Sequence, residues 1–307
     1  MSSLLEAPAE HPAQSYDEAY ARFEALLRAD SDEVDAESRS RLLGPGHRTQ
    51  RVVVFFHGLS NAPRQFLKLS ERFLARGYTV FIPRVPYHGY TNRMTTDLAL
   101  LKVRDLVDTT AMAIDLAAGL ADEVTVSGIS MGGVLAVWGA QFRSVAVAAP
   151  IAPAIGLPYL PGSVTSVAFR GLGRLPNRFM WWDPRKKEQL AGPPYAYPRF
   201  STRALSETQR LGFELLRASR RAPPRARSVW MINNAADLAV SNAASALLVK
   251  NWQAAGGGNN VHAFMFPKRL KLFHDVVDPL QPNAQPDLVH PILEQVIVDG
   301  QPPALTI

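Results

Sequence analysis

The chain of 307 residues contains no cysteine. That excludes disulfides, cysteine nucleophiles and thiolate metal sites, and leaves the redox compartment open. It has no apolar run of about 18 residues, so no integral membrane segment is expected. The start, MSSLLEAPAEHPAQ, lacks both a basic n-region and an apolar h-region. No signal peptide is therefore expected, and a cytoplasmic location is the default. The seven histidines are scattered and lack H-E-x-x-H spacing, so no metal site is expected. G-x-G-x-x-G and Walker loops are also missing, which argues against a nucleotide cofactor. The charge is only modestly one-sided, at a formal +6. Basic clusters at Arg185–Lys187, Arg217–Arg227 and Lys268–Lys271 read as solvated faces, and no nucleic-acid motif accompanies them. No internal repeat or low-complexity block is present, and no feature specifies an oligomeric state.

What is present is a globular composition, 47% hydrophobic and 20% charged, with enough apolar residues for a sizeable core. Ser15–Ala29 reads as a helix capped by Ser15, with Glu18 as its reciprocal partner. A polar stretch then leads to the turn Gly44-Pro45-Gly46. Arg51–Phe56 is a continuous β-branched and aromatic run, suited to a strand buried on both faces. A helix over 64–76, closed by Gly77, precedes a second buried strand over 78–82. Spacing predicts a helix over 96–120, a strand at 124–126, a small-residue helix over 132–143 and a strand over 145–149. After Pro150 the rhythm stops. It resumes with a strand at 229–232, a helix over 242–252, a strand over 262–266 and a last helix near 291–298. Alternation of this kind predicts a mostly parallel, doubly wound α/β sheet. The expected organisation is an N-terminal helix and linker (1–45), a first core part (46–150), an inserted lid or cap region (151–226) and a second core part (227–307).

Gly128-Ile129-Ser130-Met131-Gly132 fits G-x-S-x-G between a strand and a helix. Such a turn lifts the serine above the strand ends, and its flanking positions must be small to avoid collision. The helix that follows points its N-terminus at a developing oxyanion. A serine needs a base, and the base needs an orienting acid. In chain order the acid follows the strand after the insertion, which selects Asp237. Asp183 is an alternative within the insertion. The base follows the last strand, which selects His274; His262 and His290 are read as structural. Asp275 is read as a turn cap or a neighbour that tunes His274, outside the triad. The backbone N–H groups of Met131 and of Leu59, in His57-Gly58-Leu59-Ser60, are the candidate oxyanion donors. His57 itself is read as structural.

Together Phe56-His57-Gly58-Leu59, Pro83-Arg84-Val85-Pro86-Tyr87-His88-Gly89, Gly128-Ile129-Ser130-Met131-Gly132-Gly133, Asp237 and Leu272-Phe273-His274-Asp275 resemble the bacterial carboxylesterase and monoacylglycerol-lipase-like branch of the α/β-hydrolase superfamily. The resemblance spans roughly residues 50–300. It implies the α/β-hydrolase fold, a Ser130-His274-Asp237 triad, no cofactor and a lid over the carboxyl edge of the sheet. The expected substrate is a small-molecule ester. The insertion departs from any lid sequence of known preference; Trp181 and Trp182 within it are candidate substrate contacts. His88, in the His88-Gly89 pair after the second strand, is read either as shaping a turn near the site or as a further substrate contact.

Other readings use the same residues. An amide, peptide or carbon–carbon hydrolase could employ the same triad. A proline-releasing peptidase would need acidic residues for the substrate amine, whereas the insertion is basic at Arg170, Arg174, Arg178, Arg185 and Lys186. Dehalogenase and epoxide-hydrolase chemistry would need aspartate where Ser130 stands. An idle binding or signalling module would be expected to have lost a triad member, and all three candidates are present.

Overall fold

The computed structural model describes residues 7–158, 175–190 and 192–303. The insertion residues Arg170 and Arg174 lie outside the described residues. At the centre is strand β2 (Thr49–Phe56), whose last five residues are buried. Its run of Val and Phe has no polar side chain to expose, so it takes the middle of a sheet covered on both faces.

Among the described residues the sheet has seven strands. Besides β2 these are β1 (Arg41–Leu43), β3 (Thr79–Ile82), β4 (Ala121–Ile129), β5 (Val147–Ile151), β8 (Ser228–Asn234) and β9 (Val261–Phe266). Their order is β1-β3-β2-β4-β5-β8-β9. All neighbours pair in parallel except β1, which runs antiparallel to β3 at the edge, with Arg41 opposite Ile82. Strand β1 falls within the stretch expected to be a linker; three half-buried residues at an edge carry too little periodicity to show in the sequence.

Helices cover both faces: α1 (Tyr16–Ala29), α2 (Leu67–Ala75), α3 (Val103–Leu120), α4 (Met131–Phe142), α5 (Thr202–Ala218), α6 (Asn242–Trp252) and α7 (Pro286–Glu294). Helix α4 is buried from Met131 to Gln141, as expected of a helix apolar all round. Phe55 on β2 stacks on Phe66 at 4.7 Å and meets Phe73 edge-on at 5.1 Å. These rings fasten α2 to the sheet. The helix expected over 96–120 is broken in two. A short 3₁₀ turn spans Asp97–Leu100, and α3 restarts where Asp105 accepts the Lys102 N–H at 2.9 Å.

The segment read as lacking rhythm holds ordered structure. A small hairpin pairs β6 (Phe179–Trp181) with β7 (Arg199–Ser201). Helix α5 then buries Leu211, Phe213, Leu215 and Leu216 in the same core as the sheet. The periodicity of α5 is hidden because Ser206, Thr208 and Gln209 are buried beside them. No described helix is long and apolar enough to cross a membrane.

Candidate active site

Parallel strands in the order β4-β5-β8-β9 deliver three loops to one edge of the sheet. In open α/β sheets that carboxyl edge is where ligands bind. Ser130 follows β4, Asp237 follows β8 and His274 follows β9.

Ser130 has φ 58° and ψ −113°, a conformation that costs a non-glycine residue roughly 1–3 kcal/mol. The turn is held from both sides. Ser130 N–H donates to Ile151 O at 3.0 Å, and its carbonyl accepts from Ala154 N–H at 3.0 Å and Val134 N–H at 3.1 Å. The flanking glycines are required by space. A Cβ on Gly132 would sit 1.9 Å from Phe56 O, and one on Gly128 would sit 2.5 Å from Gly132 O.

His274 Nδ1 lies 2.7 Å from Asp237 Oδ2. The Asp237 side chain is fully buried and that of His274 is 25% exposed. Asp237 Oδ1 also accepts the Ala239 N–H at 2.7 Å, so the carboxylate cannot turn away. Burial disfavours the imidazolium, but the hydrogen bond and charge of Asp237, with the charge of Asp275, outweigh it and raise the His274 pKa. With Nδ1–H committed to the acid, Nε2 is left to accept a proton.

Asn234, the last residue of β8, fixes both loops at once. Its amide donates to Leu272 O at 2.9 Å and Phe273 O at 3.0 Å, on the His274 side. Its Oδ1 accepts the Ala236 N–H, and its carbonyl accepts the Asp237 N–H at 3.1 Å. Sequence reasoning passes over Asn234; its position at a strand end beside the acid is the only available signal.

Leu59 and Met131 are buried. Among the described residues, neither backbone N–H is donated to a protein acceptor. Ser60, beside Leu59, has φ 65°. Its hydroxyl accepts the Trp182 indole N–H at 2.7 Å, and its carbonyl accepts the Tyr197 N–H at 2.7 Å. Trp182 thus reaches the loop after β2 while half its surface remains exposed. Trp181 lies partly buried in the hairpin opposite Arg199.

Of the two readings of His88, the turn residue and the substrate contact, the structure favours the first. His88 is fully buried, with its ring 5.0 Å from His57 and 6.3 Å from Tyr197. It offers no surface to a substrate. Burial pushes its pKa down to about 4, so it is neutral at physiological pH. His57 is held by Gly58 O at 3.0 Å and by the Val85 N–H at 3.1 Å. Burial, then His88, lowers its pKa well below the usual range. Both rings act as packing for the turn.

The remaining alternatives occupy structural positions. Asp183 accepts the Arg185 N–H and caps a short turn. His262 stacks on Trp230 at 4.4 Å, and His290 Nε2 donates to Val277 O at 2.8 Å. Asp275 caps a turn through the Val277 and Asp278 N–H groups, both at 3.1 Å.

The model of the alpha/beta hydrolase family matches residues 53–276. No curated protein matches the sequence. Among solved structures, the fold is similar to that in a study of the metagenome-derived lipolytic enzymes LipS and LipT. There the TM-score is 0.60 at 20% identity, covering 84% of this chain and 96% of that one. A monoacylglycerol lipase of Paleococcus ferrophilus gives 0.60 at 17%, covering 84% and 97%. A soluble variant of monoglyceride lipase from Saccharomyces cerevisiae gives 0.53 at 13%, covering 86% and 92%. At these identities the likeness is one of fold.

Proposed function

The chain belongs to the alpha/beta hydrolase family, and from that premise we propose that it is a serine hydrolase of carboxylic esters, with Ser130 as nucleophile. The observation that carries this is the His274–Asp237 contact of 2.7 Å at the sheet edge that also carries the strained Ser130 turn. In this reading Ser130 Oγ attacks the ester carbonyl while His274 Nε2 takes its proton. Asp237 holds the ring in the tautomer that leaves Nε2 free. The N–H groups of Leu59 and Met131 receive the negative charge that forms on the carbonyl oxygen. Each such donor is worth roughly 2.7–4 kcal/mol in the transition state. His274 then protonates the departing alcohol, and water releases the acid by the same steps. No cofactor takes part.

The ester preference draws support from the fold's likeness to lipolytic enzymes and monoacylglycerol lipases. Within the insertion expected over residues 151–226, the part between β5 and α5 is proposed as the cap, with Trp181 and Trp182 on its substrate side, while α5 packs with the sheet. The test is a panel of p-nitrophenyl esters graded by acyl length. The wild type is expected to turn over some of them. Ser130→Ala is expected to lose all measurable turnover while keeping its circular dichroism spectrum. Undiminished turnover by the purified variant would sink the assignment.

A further inference from the structure

Next to His274 lies a partly buried polar network that the proposed chemistry does not use. Gln65, 2% exposed, sits in the 3₁₀ turn Pro63–Phe66 after β2. Its Oε1 accepts the Gly58 N–H at 2.8 Å. Its Nε2 donates to Asp275 Oδ2 at 2.8 Å. The same carboxylate oxygen accepts from Gln281 Nε2 at 3.0 Å and Asn61 Nδ2 at 3.4 Å. Its other oxygen takes the Val277 and Asp278 N–H groups. Asp275 therefore accepts five N–H bonds, and it directly follows His274.

Gly58 directly precedes Leu59. One glutamine side chain thus joins the loop carrying the proposed oxyanion donor to the loop carrying the proposed base. The two ends of the amide are not interchangeable. Asp275 can only accept and the Gly58 N–H can only donate, so each fixes the rotamer the other needs.

We infer that Gln65 and Asp275 form a positioning bridge that sets the oxyanion donor and the base at a fixed separation. The inference rests on the reading of Ser130, His274 and Leu59 given above. Neither residue touches the reacting atoms. They act on the rate by holding the Leu59 N–H and the His274 ring where the transition state needs them. A displacement of about 1 Å in such a site costs on the order of 100-fold in rate. Asp275 has a second effect, because its charge is among those that raise the His274 pKa. The charged groups facing this pair are Asp237 across the imidazole and Asp278, which shares Asn61 with Asp275. Beyond them, Tyr195 donates to Asp278 at 2.7 Å, and Arg64 lies over the Tyr195 ring.

The experiment compares the wild type with Gln65→Met, Gln65→Glu and Asp275→Asn, using the best ester of the panel and a fluorophosphonate probe for Ser130. Gln65→Met keeps the volume and loses both bonds. Its kcat is expected to fall about 10- to 100-fold with KM within roughly a factor of two. Gln65→Glu keeps the acceptor for Gly58 but sets a carboxylate against Asp275, and it is expected to lose kcat at pH 8. It carries the same test should Gln65→Met fail to fold. In Asp275→Asn the acid limb of the kcat/KM profile is expected to move to lower pH, because the lost charge no longer favours the imidazolium. A merely structural role would lower the melting temperature and leave that limb in place. Wild-type kcat in a folded Gln65 variant, or an unmoved acid limb in folded Asp275→Asn, overturns the inference. If the wild type neither hydrolyses the esters nor labels at Ser130, the underlying reading has failed instead.

Discussion

Asp278 is almost fully buried, and burial together with the charge of Asp275 raises its pKa to about 6. An unfolded aspartate titrates near 3.9. The folded state therefore holds the proton more tightly, and the stability gained is present at low pH and lost as pH rises through about 6. A rise of this size corresponds to about 2–3 kcal/mol. Asp278→Asn mimics the protonated form. Its stability relative to the wild type is expected to improve by about 2 kcal/mol between pH 4.5 and pH 8, read from urea midpoints. A difference that stays constant with pH would refute this. His57 and His88, buried and neutral, act with the opposite sign below their unfolded pKa, but they cancel in the comparison. Of these residues, the sequence marks Ser130, Asp237 and His274 because chain order and motif context name them. Gln65, Asn234 and Asp278 carry no motif, since their significance lies in partners up to 217 positions away.

Among the elements, the strand–turn–helix around Ser130 is the most legible, because its constraint is local. Gly132 packs its α-carbon against the backbone of Phe56 on the neighbouring strand. Gly132→Ala must therefore push β2 and α4 apart. It is expected to destabilise by about 3 kcal/mol or more, with loss of the proposed ester turnover; a melting curve superimposable on the wild type would contradict the geometry. Helix α5 shows the opposite case. Its buried stripe mixes Leu211 and Leu215 with Ser206, Thr208 and Gln209. Gln209 is tolerated there because its Oε1 accepts the Gly156 N–H at 2.7 Å. A polar residue satisfied by a distant backbone group breaks the apolar period on which sequence reading depends.

The whole molecule extends beyond the segment that the family model matches. Helix α1 precedes it, yet Phe23 is buried and meets Phe81 of β3 edge-on at 6.1 Å. Just after α1, Asp30 forms a largely buried ion pair with Arg84, whose Nη1 also donates to His88 O at 3.1 Å. The N-terminal helix is thereby tied to the turn that packs against His57. Breaking a buried pair by removing one partner costs about 3–5 kcal/mol. Deletion of residues 1–32 is expected to lower Tm by roughly 5–10 °C. A truncated protein with wild-type Tm would show α1 to be an appendage.

The sequence by itself determined the α/β alternation and the buried strand β2, and it singled out Ser130, Asp237 and His274 as candidate serine, acid and base. All of these follow from local steric rules and short-range periodicity. Tertiary structure alone decided that His88 is enclosed rather than open to substrate. It also decided that α5 belongs to the core, and that Gln65 and Asp275 meet across 210 residues of chain. The physical reason is that burial and hydrogen-bond satisfaction are properties of neighbours in space. A polar side chain reads as solvent-exposed until the fold supplies the partner that lets it be buried.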